Sequence, residues 1–388
     1  SCFSENIGAK LSSHLFKVVE NPHGILFNPV SVARSLADCI ENKKYTAADL
    51  FLFNEVWNSW QHHTRYSGIT QQEALDKINN SIYNAHSFLK NADVVIITLG
   101  SAWVYQLNSE SPYTAGQVVA NNHKAPAGWF DKKLMPTQEV TTLLKKIVQD
   151  LLAFNANLQI IFTISPVRHL REGLVENNRS KAVLIQAVHD TIDTTSHSSY
   201  FPSYEYLIDD LRDYRFYAED LVHPNFAASQ YVWEKFIETY CNEQTQEIMK
   251  QVAELQLAMQ HKPFFAGSSQ HQSFLKTSLE KTERLMREHP YLHLQEQIDW
   301  PCELNERTYI LAACKIPQLL DNPSLLKFRF NSDSYFSASC PKEYFRLMDF
   351  MMQRIVELPI GIKPNHSLPT NQVLDRIECY IRSKRSMI

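Results

Sequence analysis

Three stretches of this sequence carry side chains whose types and spacing suit chemistry. The segment Ala218-Glu-Asp-Leu-Val-His-Pro-Asn225 sets an aspartate three residues ahead of a histidine. Asp220 can orient the His223 imidazole through one ring nitrogen and leave the other as a general base. A capping aspartate beside a surface histidine has the same spacing, and the residues leave both readings open. At the start, Ser1-Cys-Phe-Ser-Glu-Asn-Ile-Gly8 places the Cys2 thiol just before a helical stretch. A helix N-terminus lowers a thiol pKa and offers backbone amides to an oxyanion, whereas a buried structural cysteine is the plainer alternative. The third stretch is a pair of strand ends, Gly100-Ser-Ala-Trp103 and Ser165-Pro-Val-Arg-His169. Arg168 and His169 are placed there to face a substrate, unless the arginine is paired with a carboxylate elsewhere.

Periodicity shows the elements that must hold these residues. Asp93-Val-Val-Ile-Ile-Thr-Leu-Gly100 and Leu158-Gln-Ile-Ile-Phe-Thr-Ile-Ser165 are short, β-branched and apolar on both faces. Such runs suit a parallel sheet covered by helices on both sides. Thr70-Gln-Gln-Glu73 is a capping box, followed at helical spacing by Leu75, Ile78, Ile82, Ala85 and Leu89. Thr137 is expected to cap a second helix whose apolar residues include Val140, Leu144, Ile147 and Leu151. Residues 181–192 and 227–240 read as two more helices. This alternation predicts an α/β doubly wound domain, in which ligands bind beyond the carboxyl ends of the strands.

That domain is expected over 1–245, where turn-forming glycines also concentrate: of 9 in the chain, only Gly267 and Gly361 follow residue 180. Two apolar stripes, Ile248, Val252, Leu255, Met259 and Leu275, Leu279, Met286, predict a helical hairpin packing on it over 246–298, interrupted by Pro263 and Gly267. Residues 299–388 read as a small, mostly helical region with amphipathic helices over 342–358 and 371–384, and with no legible role.

Composition narrows the function. The 388 residues are 44% hydrophobic and 21% charged, an ordinary globular balance that excludes wholesale disorder. No run approaches the roughly eighteen apolar residues of a membrane span. A formal charge of -4 argues against nucleic acid as a partner. The 7 cysteines, odd in number and scattered, do not form a disulfide framework, so a cytoplasmic setting is expected. His62 and His63 lie between Trp60 and Tyr66, and His123 lies in a loop between glycines. No Cys/His spacing resembles a zinc site, and neither a metal nor another cofactor is expected. Trp57, Trp60 and Trp103 either line an acyl or sugar pocket or belong to the core.

Six segments, taken in order, resemble the motifs of the GSCFA family. They are Ser1–Gly8, Asn21-Pro-His-Gly-Ile-Leu-Phe-Asn-Pro29, Trp57-Asn-Ser-Trp-Gln-His-His63, Thr98-Leu-Gly-Ser-Ala-Trp103, Ser165–His169 and Arg212-Asp-Tyr-Arg-Phe-Tyr-Ala-Glu-Asp-Leu-Val-His-Pro224. The resemblance covers about residues 1–295. This family is a distant relative of the SGNH, or GDSL-type, esterases and acyltransferases. The relation implies a flavodoxin-like sheet, a nucleophile after the first strand and a late Asp-x-x-His-Pro, matched by Asp220, His223 and Pro224. Aligning the glycines of the first block puts Ser1 where those enzymes carry Asp and Cys2 where they carry the nucleophilic Ser. The family's leading glycine and first strand would then precede Ser1. In the third block those enzymes have Gly-x-Asn-Asp, whose Asn donates to the oxyanion. Here Ser101, Ala102 and Trp103 follow Gly100, so that donor is missing, a loss that can cost on the order of a hundredfold in rate. Asn28, Ser101 and the amides near Phe3 and Gly100 are the alternative donors.

Three functional classes follow. The first is an esterase or acyltransferase using Cys2, His223 and Asp220 on an ester or thioester, with a small molecule or a carbohydrate O-acyl group as substrate. The second is a non-catalytic module that binds a ligand or protein on a degenerate hydrolase fold. The third is an N-terminal nucleophile using its own α-amine, which the family signature makes unnecessary. The oligomeric state is not legible.

Overall fold

This computed structural model describes residues 2–261, 265, 268–292 and 294. The helices expected over 342–358 and 371–384, like Pro263 and Gly267, lie outside the described residues. The chain divides into two compact units, Ser1–Lys250 and Gln251–Ile388.

The first unit begins with α1 (Cys2–Ser13), α2 (Pro29–Glu41) and a short hairpin of β1 (Phe51–Phe53) and β2 (Val56–Asn58). Helix α3 (Gln71–Leu89) leads into β3 (Val94–Leu99). An antiparallel excursion follows, made of β4 (Trp103–Leu107), β5 (Val118–Val119) and β6 (Phe130–Leu134). The chain then runs through α4 (Thr137–Phe154), β7 (Gln159–Ile164), α5 (Leu174–Ile192) and β8 (Ser198–Phe201). A short α6 (Ser203–Glu205) passes into a π-helical turn over Tyr206–Leu211, before α7 (Phe226–Tyr240), α8 (Glu243–Gln260) and α9 (Ser269–Glu288).

The fold is mixed α/β around a parallel sheet of order β3-β7-β8, with Val94 opposite Gln159 through to Leu99 opposite Ile164. Alternation along β7 explains the layers. Ile160, Phe162 and Ile164 join Ile97 and Leu99 under α2, α3, α4 and α5, while Ile161 and Phe201 join Phe3 and Ile7 of α1 and Val232, Trp233 and Phe236 of α7. No helix among the described residues is long and apolar enough to cross a membrane.

Local chemistry departs from the sequence reading in four places. The Thr70 hydroxyl accepts from the Glu73 amide at 3.1 Å, but the Glu73 carboxylate reaches the Ile69 amide, one residue before the cap, at 2.9 Å. Thr137 is the first residue of α4 rather than its cap, because extended Pro136 occupies the cap position. Helix α5 starts at Leu174, about two turns before Lys181; its first turns expose Leu174 and Val175 and bury Asn177 and Ser180, which hides them from an apolar-periodicity reading. In α9, Leu285 is the buried residue and Leu279 is exposed, so the core-facing stripe is shifted from the one expected. The antiparallel strands are too short and too aromatic for the alternation test. Trp60 belongs to their core, stacked on Phe51 at 3.8 Å.

A buried polar network ties α2 to the loops before and after it. His23 bonds the Asp38 carboxylate through Nε2 at 3.0 Å and the Ser35 hydroxyl through Nδ1 at 2.7 Å. Tyr45 donates to the same carboxylate at 2.6 Å. The His62 ring stacks on His23 at 4.1 Å, and Ser59 bonds His62 through Nδ1 at 2.9 Å. His123 donates from Nε2 to the Ser59 carbonyl at 2.8 Å. Ser35, His23 and Asp38 stand in the bonding order of a hydrolase triad, yet all three are buried and Ser35 lies mid-helix, so they act as a lock. Gly24 sits against this lock at φ 83, where a Cβ would overlap the Cβ of His63. Among the described residues no group of three or more His, Cys, Asp or Glu side chains could hold a metal ion.

The buried nitrogens His62 Nε2 and His123 Nδ1 have no hydrogen-bond partner among the described residues. Burial holds His62 well below the usual imidazole value, lowers His23 despite its bond to Asp38, and brings His123 down to about 4. These depressed values make the neutral rings part of the folded state. As the pH falls from about 6.5 to about 4, the unfolded chain takes up protons that the folded chain refuses, and stability falls. His123 alone accounts for on the order of 3 kcal/mol at the acid end of that window. The Tm is expected to drop on acidification from about pH 7 to 4.5, and to drop less in His123→Gln. An equal drop in both proteins would remove His123 as a source. Gly24→Ala is expected to cost about 1–3 kcal/mol, measured by urea unfolding.

Candidate active site

The turn that carries Asp220 and His223 is built by its own main chain. Tyr217 and Pro224 form an antiparallel bridge, and the Ala218 amide donates to the His223 carbonyl at 2.8 Å. Leu221 takes the left-handed conformation, φ 57, that lets the chain reverse. Inside the turn one oxygen of the Asp220 carboxylate accepts from the Val222 and His223 amides at 2.9 and 3.0 Å. The other oxygen meets His223 Nδ1 at 2.6 Å. Those bonds hold the Asp220 carboxyl near about 2, below its usual range. An ionised carboxylate can only accept, so Nδ1 is the donor in this bond, and the tautomer of the neutral ring has its lone pair on Nε2. Both side chains are close to half exposed. The arrangement holds an oriented imidazole open to solvent, a geometry that can serve a general base; Asp220 does not cap α7, because Asn225 does so by accepting from the Ala228 amide at 3.1 Å.

The segment after β7 docks on this turn. Its Arg168 amide donates to the Val222 carbonyl at 3.1 Å. The Arg168 guanidinium lies over Tyr217 at 4.1 Å and Tyr214 at 5.1 Å, with no carboxylate partner among the described residues. Two aromatic rings therefore flank the Arg168 guanidinium. Val167 packs on the apolar cluster that contains Phe3, in the first turn of α1. The start of α1, the segment after β7 and the Asp220–His223 turn are therefore linked by successive contacts. Cys2 heads α1, and its side chain lies outside the described residues.

The other sequence candidates serve the fold in visible ways. Phe3 is buried in that cluster. The Gly100 and Ser101 amides both donate to the Phe27 carbonyl, at 2.9 and 3.0 Å, so neither faces outward as an oxyanion donor. The Ser101 hydroxyl accepts from the Trp103 amide at 3.1 Å and meets the Ser180 hydroxyl at 3.3 Å. The Asn28 oxygen caps α2 by accepting from the Ser31 amide at 2.8 Å. The His169 amide donates to Asn177 at 2.9 Å.

Sequence reasoning found the helix that holds both strand ends but missed its first two turns and the role of its polar inner face. Asn177, Ser180 and Lys181 lie on one face of α5 by helical spacing. The Ser180 hydroxyl accepts from the Ala102 amide at 2.7 Å. Lys181, fully buried, donates from Nζ to the Gly100 carbonyl at 2.8 Å and the Ser165 carbonyl at 2.7 Å. Burial pushes its ammonium down to about 7. The only advance signal was a lysine amid apolar residues on the inner face of a helix, which periodicity treats as noise.

Comparisons with known proteins reach the family level. Neither the curated proteins nor the solved structures contain a match to the chain. Two family models do match: that of the GSCFA domain protein, C-terminal domain, over residues 252–301, and that of the GSCFA family over residues 1–236. The second spans more than half of the 388 residues and includes the whole Asp220–His223 turn, and the chain belongs to the GSCFA family.

Proposed function

We propose that this protein is an esterase or acyltransferase that works through Cys2, His223 and Asp220 on a flavodoxin-like sheet of the SGNH type. The observation that carries the reading is the 2.6 Å bond between Asp220 and His223 Nδ1, exposed beyond the parallel sheet. In this reading His223 Nε2 takes the Cys2 thiol proton, and the thiolate attacks the carbonyl carbon of an ester or thioester. Amides in the first turn of α1 receive the oxyanion. Collapse of the tetrahedral intermediate breaks the bond to the leaving group, which takes the proton from the imidazolium. Water or an acceptor hydroxyl then attacks the acyl-cysteine while His223 removes its proton, and the thiolate leaves. Asp220 stays ionised throughout and holds the ring. Carbohydrate O-acyl groups are the substrate class that the SGNH relation favours, and no cofactor is required. Ser1 is the second candidate nucleophile.

A non-catalytic binding module is the competing reading. It is favoured by the Gly100 and Ser101 amides, which are committed to Phe27 and are absent from any oxyanion hole in this arrangement.

Hydrolysis of p-nitrophenyl acetate and iodoacetamide labelling at about pH 7 separate the two. Cys2→Ala and His223→Ala are expected to abolish hydrolysis, with fast Cys2 labelling that slows in His223→Ala. Asp220→Asn holds the wrong tautomer and is expected to lower kcat by about 10²–10⁴. No turnover, with Cys2 labelling at the rate of a free thiol, would leave the binding module as the function. Because Asp220 titrates near about 2, no inflection of the rate profile between about pH 4 and 8 should belong to it.

A further inference from the structure

We propose that Lys181 is a positioning residue whose ammonium ties together the two segments leaving the parallel sheet and so fixes where the Asp220–His223 turn stands. The ladder between β3 and β7 ends with the Ser165 amide on the Leu99 carbonyl at 2.9 Å. Beyond that bond the chain at Gly100 turns toward Phe27 and the chain at Ser165 turns toward Arg168. Lys181 reaches the next pair of carbonyls, Gly100 and Ser165, and bonds both from one atom.

A hydroxyl or amide is the cheaper donor for a buried carbonyl, but the other two polar side chains on this face of α5 are spent as acceptors, Ser180 from the Ala102 amide and Asn177 from the His169 amide. An ammonium differs in supplying two strong, charge-assisted bonds from one atom, which clamps two chains at a fixed separation. From Ser165 the constraint passes to Arg168, whose amide holds the carbonyl of Val222, between Asp220 and His223.

No carboxylate forms an ion pair with Lys181 among the described residues. From α6, the Tyr204 ring lies 5.4 Å from Nζ, and the Glu205 carboxylate, bonded by the Tyr200 hydroxyl at 2.8 Å, acts on it from a distance. On α5 itself, Glu176 and Arg179 pair with each other at 2.9 Å on the exposed side. The strand-end segments add Arg168 and His169 further along the chain. With the ammonium brought to about 7, the charge is lost in the neutral to mildly alkaline range. The amine that remains keeps two N–H donors without charge assistance, so the clamp weakens and does not vanish. The consequence for turnover rests on the acyl-transfer reading above; the consequence for the two segments does not.

Amide exchange followed by mass spectrometry tests the clamp in wild type and Lys181→Met. Peptides covering 100–103 and 165–170 are expected to exchange about tenfold faster in the variant, while peptides within β3 and β7 keep their protection. In the wild type, raising the pH from about 6 to 9 should speed the same two peptides several-fold beyond the intrinsic base-catalysed rise, an excess that Lys181→Met lacks. Hydrolysis of p-nitrophenyl acetate should fall about tenfold in kcat with KM unchanged. Equal exchange in variant and wild type overturns the proposal. If Lys181→Met does not fold, Lys181→Gln, which keeps an uncharged amide donor, is read against wild type in the same way. Exchange as expected with no hydrolysis by any protein would discard acyl transfer and keep the clamp.

Discussion

Two parallel strands that diverge leave backbone groups pointing into the interior with no ladder partner, and each buried orphan costs about 1–3 kcal/mol. The parting of β3 and β7 creates several at once, and groups from elsewhere in the chain meet them. The Phe27 carbonyl takes the Gly100 and Ser101 amides, and Ser203 donates to the Ile164 carbonyl at 2.7 Å. Lys181 takes the Gly100 and Ser165 carbonyls. The loop before α2, helix α5 and helix α6 therefore converge on one edge of the sheet because hydrogen-bond accounting there demands it. An edge held from three directions is a rigid platform, which is what a pair of reacting groups needs if small displacements are to be excluded.

The charges at this edge are divided by depth. Lys181 is buried, lacks an ion-pair partner among the described residues and is displaced far from its usual value, whereas Asp220 is exposed and held ionised by three donors of its own turn. The exposed pair gains little from Coulomb attraction in high dielectric. What fixes the His223 tautomer is the turn geometry, set by main-chain bonds that solvent does not screen away. The bond from Arg168 to Val222 joins the two levels, so that the position of the exposed turn depends on the buried clamp.

How much of this was legible in the sequence follows from the kind of signal each part emits. Strands β3 and β7 are unbroken apolar runs, and α3 carries both a cap and a periodic face, so their types and places follow from the residues. The third parallel strand, Ser198–Phe201, reads Ser-Ser-Tyr-Phe and has no such run; only its pairing with β7 makes it a strand. Helix α5 begins with Leu174 and Val175 exposed and its inner face lined by Asn177, Ser180 and Lys181, an inversion of the amphipathic rule caused by the strand-end groups it serves. The Asp220–His223 pair was legible because three-residue spacing closes a local turn. The Gly100 donor was misjudged because a free amide and one spent on Phe27 look alike in sequence.

The motifs that carry the family likeness are far apart in sequence, yet in the fold they largely meet one another. His23 of the second motif stacks on His62 of the third, and Gly24 leaves room for His63. Phe27, at the end of the second motif, accepts both amides that open the strand-end segment of the fourth. The fifth and sixth meet through Arg168 and Val222. Mutual contact gives such residues a reason to occur together that has nothing to do with touching a substrate. His23, His62 and Asn28 are accounted for by burial, stacking and capping, and the histidines' low proton affinity keeps them neutral where the fold has no room for charge. What the contacts leave unexplained is the small set that reaches solvent: His223, Asp220 and the clamped Arg168. Main-chain bonds close the turn without the imidazole, yet a carboxylate orients it at 2.6 Å with both side chains close to half exposed, and the acyl-transfer proposal rests on that geometry.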